Sequence, residues 1–249
     1  MIKFFRKIRK NLLSQNKFSQ YLLYAIGEII LVVIGILIAL QINNWNESRQ
    51  KKNLERDYLS EIKENLVRDT LNINKTLDFS SKKIDSIVNS LALFEQAKKG
   101  LPYFKSFSPK MAILTDHVIF EPVRTGFDNM VSSEKIGLIS NKKLRAELSN
   151  YYSDFSFRDG TQKRILQITR DFTDDIVSKA MSKELMQSFI GLELDLKSAS
   201  EINIHSDEKV ISTLLIMLQV TGSLNNELTE KKATIKDILA KIETELKLR

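Results

Sequence analysis

Cysteine is absent from the chain. That excludes disulfides and thiolate-held metals, and it leaves no signature of a redox compartment. Breakers are scarce as well: three prolines and eight glycines in 249 residues. So few breaks over that length point to long helices. Only two histidines are present, which leaves little imidazole for acid–base or metal chemistry. The sequence contains no phosphate loop, GxGxxG, HExxH or GxSxG. No internal repeat or low-complexity segment stands out.

What the chain does have is one long apolar run. Tyr21 to Ile42, YLLYAIGEIILVVIGILIALQI, carries no Lys, Arg, Asp or Pro and is apolar apart from Glu28 and Gln41. At about 1.5 Å per residue, a helix of this length crosses a hydrocarbon core of about 30 Å. Before it lie Lys3, Arg6, Lys7, Arg9, Lys10 and Lys17, with no acid. After it, Arg49, Lys51, Lys52 and Arg56 are diluted by Glu47, Glu55 and Asp57. The basic excess on the N-terminal side predicts N-terminus in, C-terminus out. Tyr21 and Tyr24 at one end and Trp45 at the other suit the two membrane interfaces. Ala39-Leu40-Gln41 is not a small-x-small cleavage site, so an uncleaved signal-anchor is expected. The expected organisation is a basic cytoplasmic tail over 1–20, a span over 21–42 and a periplasmic domain over 43–249. In the tail, Phe4, Phe5, Ile8 and Leu12 recur at helical spacing among basic residues, which suits a short helix on an anionic bilayer surface.

Two features inside the span are candidates for function. Glu28 is an intramembrane carboxylate, a site by default; its plainer role is to sit near the cytoplasmic headgroups or pair with the tail. Gly35 and Ala39 form a small-xxx-small pair that lets two helices approach, a route to a homodimer. Such pairs are also common by chance.

The tail supplies +6 of the net charge of +7, and Glu28 offsets one unit. Residues 47–249 hold 32 basic and 30 acidic side chains, so no nucleic-acid-binding surface is expected there. From Asn53 to Lys99 there is neither Gly nor Pro. Leu59, Leu66 and Ile73 recur every seven residues and Ile87 and Phe94 continue the row; Leu77, Ile84 and Leu91 form a second one. This is the seam of a helical bundle or coiled coil, interrupted by Thr70 and Ser80. Gly100 to Pro109 reads as turn and loop, and Met111 to Phe120 as a short apolar element of ambiguous type. Phe127, Met130 and Val131 suit a short helix with Lys135 in its last turn and Gly137 past its end. Ser140 is the expected N-cap of a longer helix reaching towards Ile190, with a kink at Asp159-Gly160. Leu192, Leu194, Leu196, Ile202 and Ile204 alternate with polar residues, which fits a small β-hairpin or an irregular loop. Ser206 to Leu248 is a last long helix, with Leu214, Leu228, Ile235 and Ile242 on one row and Gly222 as a bend point. The expected fold is all-α: a transmembrane helix, then an elongated bundle of three long helices plus short ones.

The chemistry-bearing residues are few. His117, beside Asp116, reads as a hydrogen-bonded structural histidine. In His205-Ser206-Asp207, triad residue types adjoin in sequence, which is not triad geometry; Asp207 and Glu208 instead favour a helix N-terminus. Tyr151, Tyr152, Phe155 and Phe157 read as core more readily than as pocket. Arg124, between Pro122 and Gly126, is a candidate anion contact. No cofactor, metal or catalytic residue is expected.

Two segments carry a family resemblance. KFSQYLLYAIGEIILVVIGILIALQINNWNE, Lys17 to Glu47, resembles the N-terminal signature of an uncharacterised family of single-span, signal-anchored proteins found in Bacteroidota. GFDNMVSSEKIGLISNKKLRAELSNYY, Gly126 to Tyr152, resembles its second pattern, L-I-x-N-x-x-L-x-x-x-L-x-x-Y-Y. The resemblance implies a membrane-anchored helical protein of a Gram-negative envelope and transfers no ligand or catalytic residue. The leading expectation is a non-enzymatic interaction module tethered to the inner membrane that binds another envelope protein. A ligand-binding sensory domain signalling through the span to a partner is the alternative.

Overall fold

The structure, a computed structural model, describes residues 18–100, 102–153, 158–192 and 194–248, without the side chains of residues 18, 20, 21, 24, 158, 159 and 188–190. It is 84% helical, with no strand among the described residues. The α-helices are α1 (Phe18–Ala97), α2 (Phe104–Phe107), α3 (Met111–Leu114), α4 (Thr125–Ser132), α5 (Lys142–Ser153), α6 (Lys163–Ala180), α7 (Lys183–Ile190) and α8 (Glu208–Lys247). The chain divides into two compact units, residues 1–56 and 57–249. The expected amphipathic tail helix lies outside the described residues.

The first unit contains the apolar run. Apart from the half-buried Ala25 and Glu28, its described side chains from Leu22 to Ile42 stand open, with Leu31 73% exposed. A surface of contiguous Ile, Leu and Val cannot face water cheaply, at about 25 cal/mol per Å². Length and composition make this a candidate membrane span.

In the second unit, two apolar clusters form the core. Leu59, Leu66 and Ile73 join Leu144, Leu148, Leu228, Ile235 and Ile242 in one. Ile87 and Phe94 join Phe104, Phe107, Phe172, Ile176 and Leu214 in the other. Each such side chain contributes about 1.5–3 kcal/mol relative to exposure. The first predicted heptad row is therefore core throughout.

The second row is different from the expectation. Leu77, Ile84 and Leu91 are only half-buried. The buried partner row is Ile62, Asp69, Thr76, Lys83, Ser90 and Ala97. It lies three residues after the first row, where the seam of a coiled coil falls; Leu77 lies four after and flanks it. The stripe of apolar residues is thus wide, and its geometric centre is polar. Every polar member is satisfied locally or from afar. Thr76 and Ser90 bond their own helix at Asn72 and Ser86 carbonyls. Asp69 and Lys83 reach other elements, as described below.

Other boundaries also moved. Asn141, rather than Ser140, caps α5: its Oδ1 accepts the Leu144 N–H at 3.1 Å. α4 ends with Glu134, not Gly137, in the left-handed region at φ 59°. The Glu134 N–H bonds Val131 O and the Lys135 N–H bonds Met130 O, both at 2.9 Å, which is a Schellman closure. Gly137 instead sits inside a 3-10 turn over Ile136–Leu138, and Lys135 lies beyond α4. The expected loop at 100–109 contains α2, and a 3-10 turn carries Pro109 at its start. The expected kink at Gly160 is present, with φ −91° and ψ −110°. A second break, at Met181–Ser182, separates α6 from α7; Ser182 Oγ accepts the Leu185 N–H there. α8 begins as expected, with the Asp207 carboxylate accepting N–H bonds from Lys209 and Val210. It continues through Gly222 as one helix.

The alternating segment is a loop with two 3-10 turns, Ala199–Glu201 and Ile204–Ser206. Ile202 and Ile204 do share a buried face, as alternation demands. Their backbone partner, however, is one side chain. The Tyr103 hydroxyl donates to Ile202 O at 2.9 Å and accepts the Ile204 N–H at 3.1 Å. A phenol makes the two bonds a neighbouring strand would make, so no second strand is needed.

Candidate functional site

The polar row of α1 builds one constellation inside the second unit. Asp69 is fully buried. Its Oδ1 accepts the Val123 N–H and its Oδ2 the Tyr151 hydroxyl, each at 2.7 Å. Burial pushes the Asp69 carboxyl above the usual range, against those two bonds and the charge of Lys231. Burial, and then Asp69 itself, push the Tyr151 hydroxyl up as well. Lys231 lies over the Tyr151 ring, 5.6 Å from its centroid.

Arg124 borders this cluster. Its Nε and Nη2 bond the Asp128 carboxylate at 3.1 and 3.0 Å, and Nη1 donates to the Tyr152 carbonyl. The guanidinium lies 5.6 Å from the Tyr152 ring centroid, and Phe127 stacks on that ring at 4.5 Å. So the candidate anion contact joins α4 to the end of α5, with Asp128 already its anion. Tyr151 and Tyr152 are core, as their spacing predicted; Phe155 and Phe157 lie outside the described residues. The Tyr152 hydroxyl is buried without a partner among the described residues.

Lys83 is the second buried charge, at 2% exposure. Its Nζ donates to Asp116 O at 2.6 Å and to Thr169 Oγ1 at 3.0 Å. Burial lowers the ammonium to about 8, with nearby Asp116 opposing the shift. Asp69 and Lys83 are closed to solvent. What they do chemically is hold α1 to the 116–124 segment, α5 and α6. No sequence signal pointed to either one.

The remaining predicted residues do not converge. Glu28 is half-buried and engaged. Gly35 and Ala39 are exposed, and a Cβ on Gly35 would meet nothing within 4 Å. Trp45 is exposed, with the Arg49 guanidinium 5.8 Å from its ring. The side chains of Tyr21 and Tyr24 lie outside the described residues. His117 is exposed rather than a packed structural histidine; its backbone N–H donates to Asp116 Oδ1 at 2.7 Å. Asp116 thus turns its carboxylate back on its own loop and offers Lys83 only its carbonyl.

His205 is different. Its ring meets Tyr103 edge-on at 4.9 Å, and its Nδ1 is buried with no partner among the described residues. It lines a cavity of about 440 Å³ with Pro102, Tyr103, Phe104, Lys105, Ser200 and Asn203. That volume lies within the range of small-molecule sites. Among the described residues no group of three or more His, Asp or Glu side chains could hold a metal.

No curated protein and no solved structure matches the chain. A family profile does, over residues 28–218, from Glu28 in α1 to the first third of α8. The chain belongs to DUF6090, a family of unknown function.

Proposed function

We propose that the protein is a membrane-anchored, non-enzymatic interaction module, inserted N-terminus in, whose helical second unit works in the periplasm on another envelope protein. The observation that carries this reading is the open apolar stretch of α1, long and apolar enough to cross a membrane. A bilayer is the environment that removes such a surface from water. The acid-free basic tail supports the orientation. The buried polar groups of the second unit support the absence of catalysis, because Asp69, Lys83 and Tyr151 are turned inward on protein partners. Affinity purification of the full-length tagged protein from its own membrane tests the reading. A specific envelope protein should copurify, and should be lost when the second unit is released from its span, since tethering raises effective concentration. Recovery of the chain alone, under crosslinking as well, would count against it.

One observation favours a second reading, a ligand-binding domain that signals to a partner. The cavity beside His205 gathers polar side chains over an aromatic floor.

A further inference from the structure

We infer that the cavity bounded by Tyr103, Lys105, Asn203 and His205 is a binding site for a small organic carboxylate with a planar apolar body. The inference rests on the ligand-binding reading above and assigns it a site and a chemical class.

The floor is aromatic. Phe104 and Tyr103 are nearly buried, and their rings meet edge-on at 6.2 Å. Phe94 meets Tyr103 edge-on at 5.7 Å from below. Tyr103 is fixed, because its hydroxyl is consumed by Ile202 O and the Ile204 N–H. It offers the cavity a ring and no polar atom. A flat apolar group packs favourably on such rings, edge-on or offset-stacked.

The polar lining has one sign. It contains no carboxylate; its one fixed charge is Lys105. The Lys105 and Asn203 side chains stand exposed at the rim of the cavity. The acids nearby are spent elsewhere. Glu201 accepts the Ser198 N–H, and Glu184 accepts Ser198 Oγ and the Ala199 N–H. A donor-lined, acid-free rim is complementary to an anion, and one cation with one amide matches a carboxylate. His205 lines the same cavity, which places an imidazole ring beside any bound ligand.

The test uses the full-length chain in nonionic detergent. His117 is exposed and lies outside the cavity, so the two histidines report separately on the imidazole NMR spectrum, assigned through His205→Gln. The probes are phenylacetate, its neutral and cationic analogues benzyl alcohol and benzylamine, and inorganic phosphate. Phenylacetate should shift the His205 signals saturably and leave His117 in place. Lys105→Gln should weaken that binding about fivefold or more. Phe104→Leu, which keeps the core filled, should weaken it without changing the preference for the anion. Equal binding of benzyl alcohol or benzylamine would overturn the carboxylate class while leaving a ligand site. Phosphate binding as well as phenylacetate would overturn the role of the aromatic floor. No saturable shift with any probe up to about 10 mM would overturn both the site and the reading beneath it.

Discussion

Lys83 shows what a single residue is asked to do. Its ammonium is lowered from 10.5 to about 8. Below pH 8 it is charged in both folded and unfolded states, and the full cost of burying the charge falls on the fold. Between 8 and 10.5 the folded state sheds the proton first, so stability rises with pH. The whole effect is of order 3 kcal/mol at about 1.4 kcal/mol per unit. Denaturant unfolding between pH 8 and about 9.5, before the tyrosines titrate, should show this rise in the native chain and not in Lys83→Met. A flat profile in both would mean that the lysine is hydrated. The adjacent tyrosines provide a paired test. Tyr151→Phe removes a hydrogen bond to a buried carboxylate and should cost about 1.5–3 kcal/mol. Tyr152→Phe removes a buried hydroxyl that has no partner among the described residues and should cost nothing or stabilise slightly. Neighbours in sequence are thus predicted to differ in sign. The aromatic spacing identified both as core. It could not distinguish them, because the carboxylate that does so is 82 residues away.

At the scale of elements, periodicity was a good guide and punctuation a poor one. The long helices follow from rows such as Leu59-Leu66-Ile73 and Leu228-Ile235-Ile242, which are fully buried. Their ends follow from local hydrogen bonding, which apolar spacing does not encode. Ser140 and Asn141 are both acceptable caps; Asn141 makes the bond. Asn141→Ala should therefore cost about 1 kcal/mol, and Ser140→Ala much less, by thermal or urea unfolding. The close of α4 is a sharper case. A glutamate stands at φ 59°, where glycine carries no Cβ penalty. Glu134→Gly should stabilise by a few tenths of a kcal/mol or leave stability unchanged, although glycine destabilises almost anywhere else in this helical chain. The loop at 199–206 was legible only as an even choice between hairpin and irregular segment. Its backbone is satisfied by Tyr103, about a hundred residues earlier, and that interaction leaves no trace in the local pattern.

At the scale of the whole molecule, composition alone was enough for the class: scarce glycine and proline gave an all-α chain, 84% helical. Far-ultraviolet circular dichroism of the full-length protein should report more than about 65% helix, against the usual third. The candidate ligand site was not legible, because Lys105 and His205 carry no motif and meet only through the fold. Orientation is tested by reporter fusion: alkaline phosphatase placed after Arg249 should be active. Activity of a cytoplasmic reporter there instead would overturn both the topology and the periplasmic placement. The polar row of α1 also has a consequence for how the protein is made. Leu59 leaves the ribosome about 170 residues before Leu228, which belongs to the same core cluster. At about 5–20 residues per second that is a wait of about 10 to 30 s. Thr169 of the Lys83 pair emerges 86 residues after it. Until those segments emerge, the nascent helix presents an open apolar row beside charges whose partners follow 33 to 86 residues later. A holdase chaperone would find a large target, and chains stopped before Glu208 should be cleared by proteases rather than accumulate.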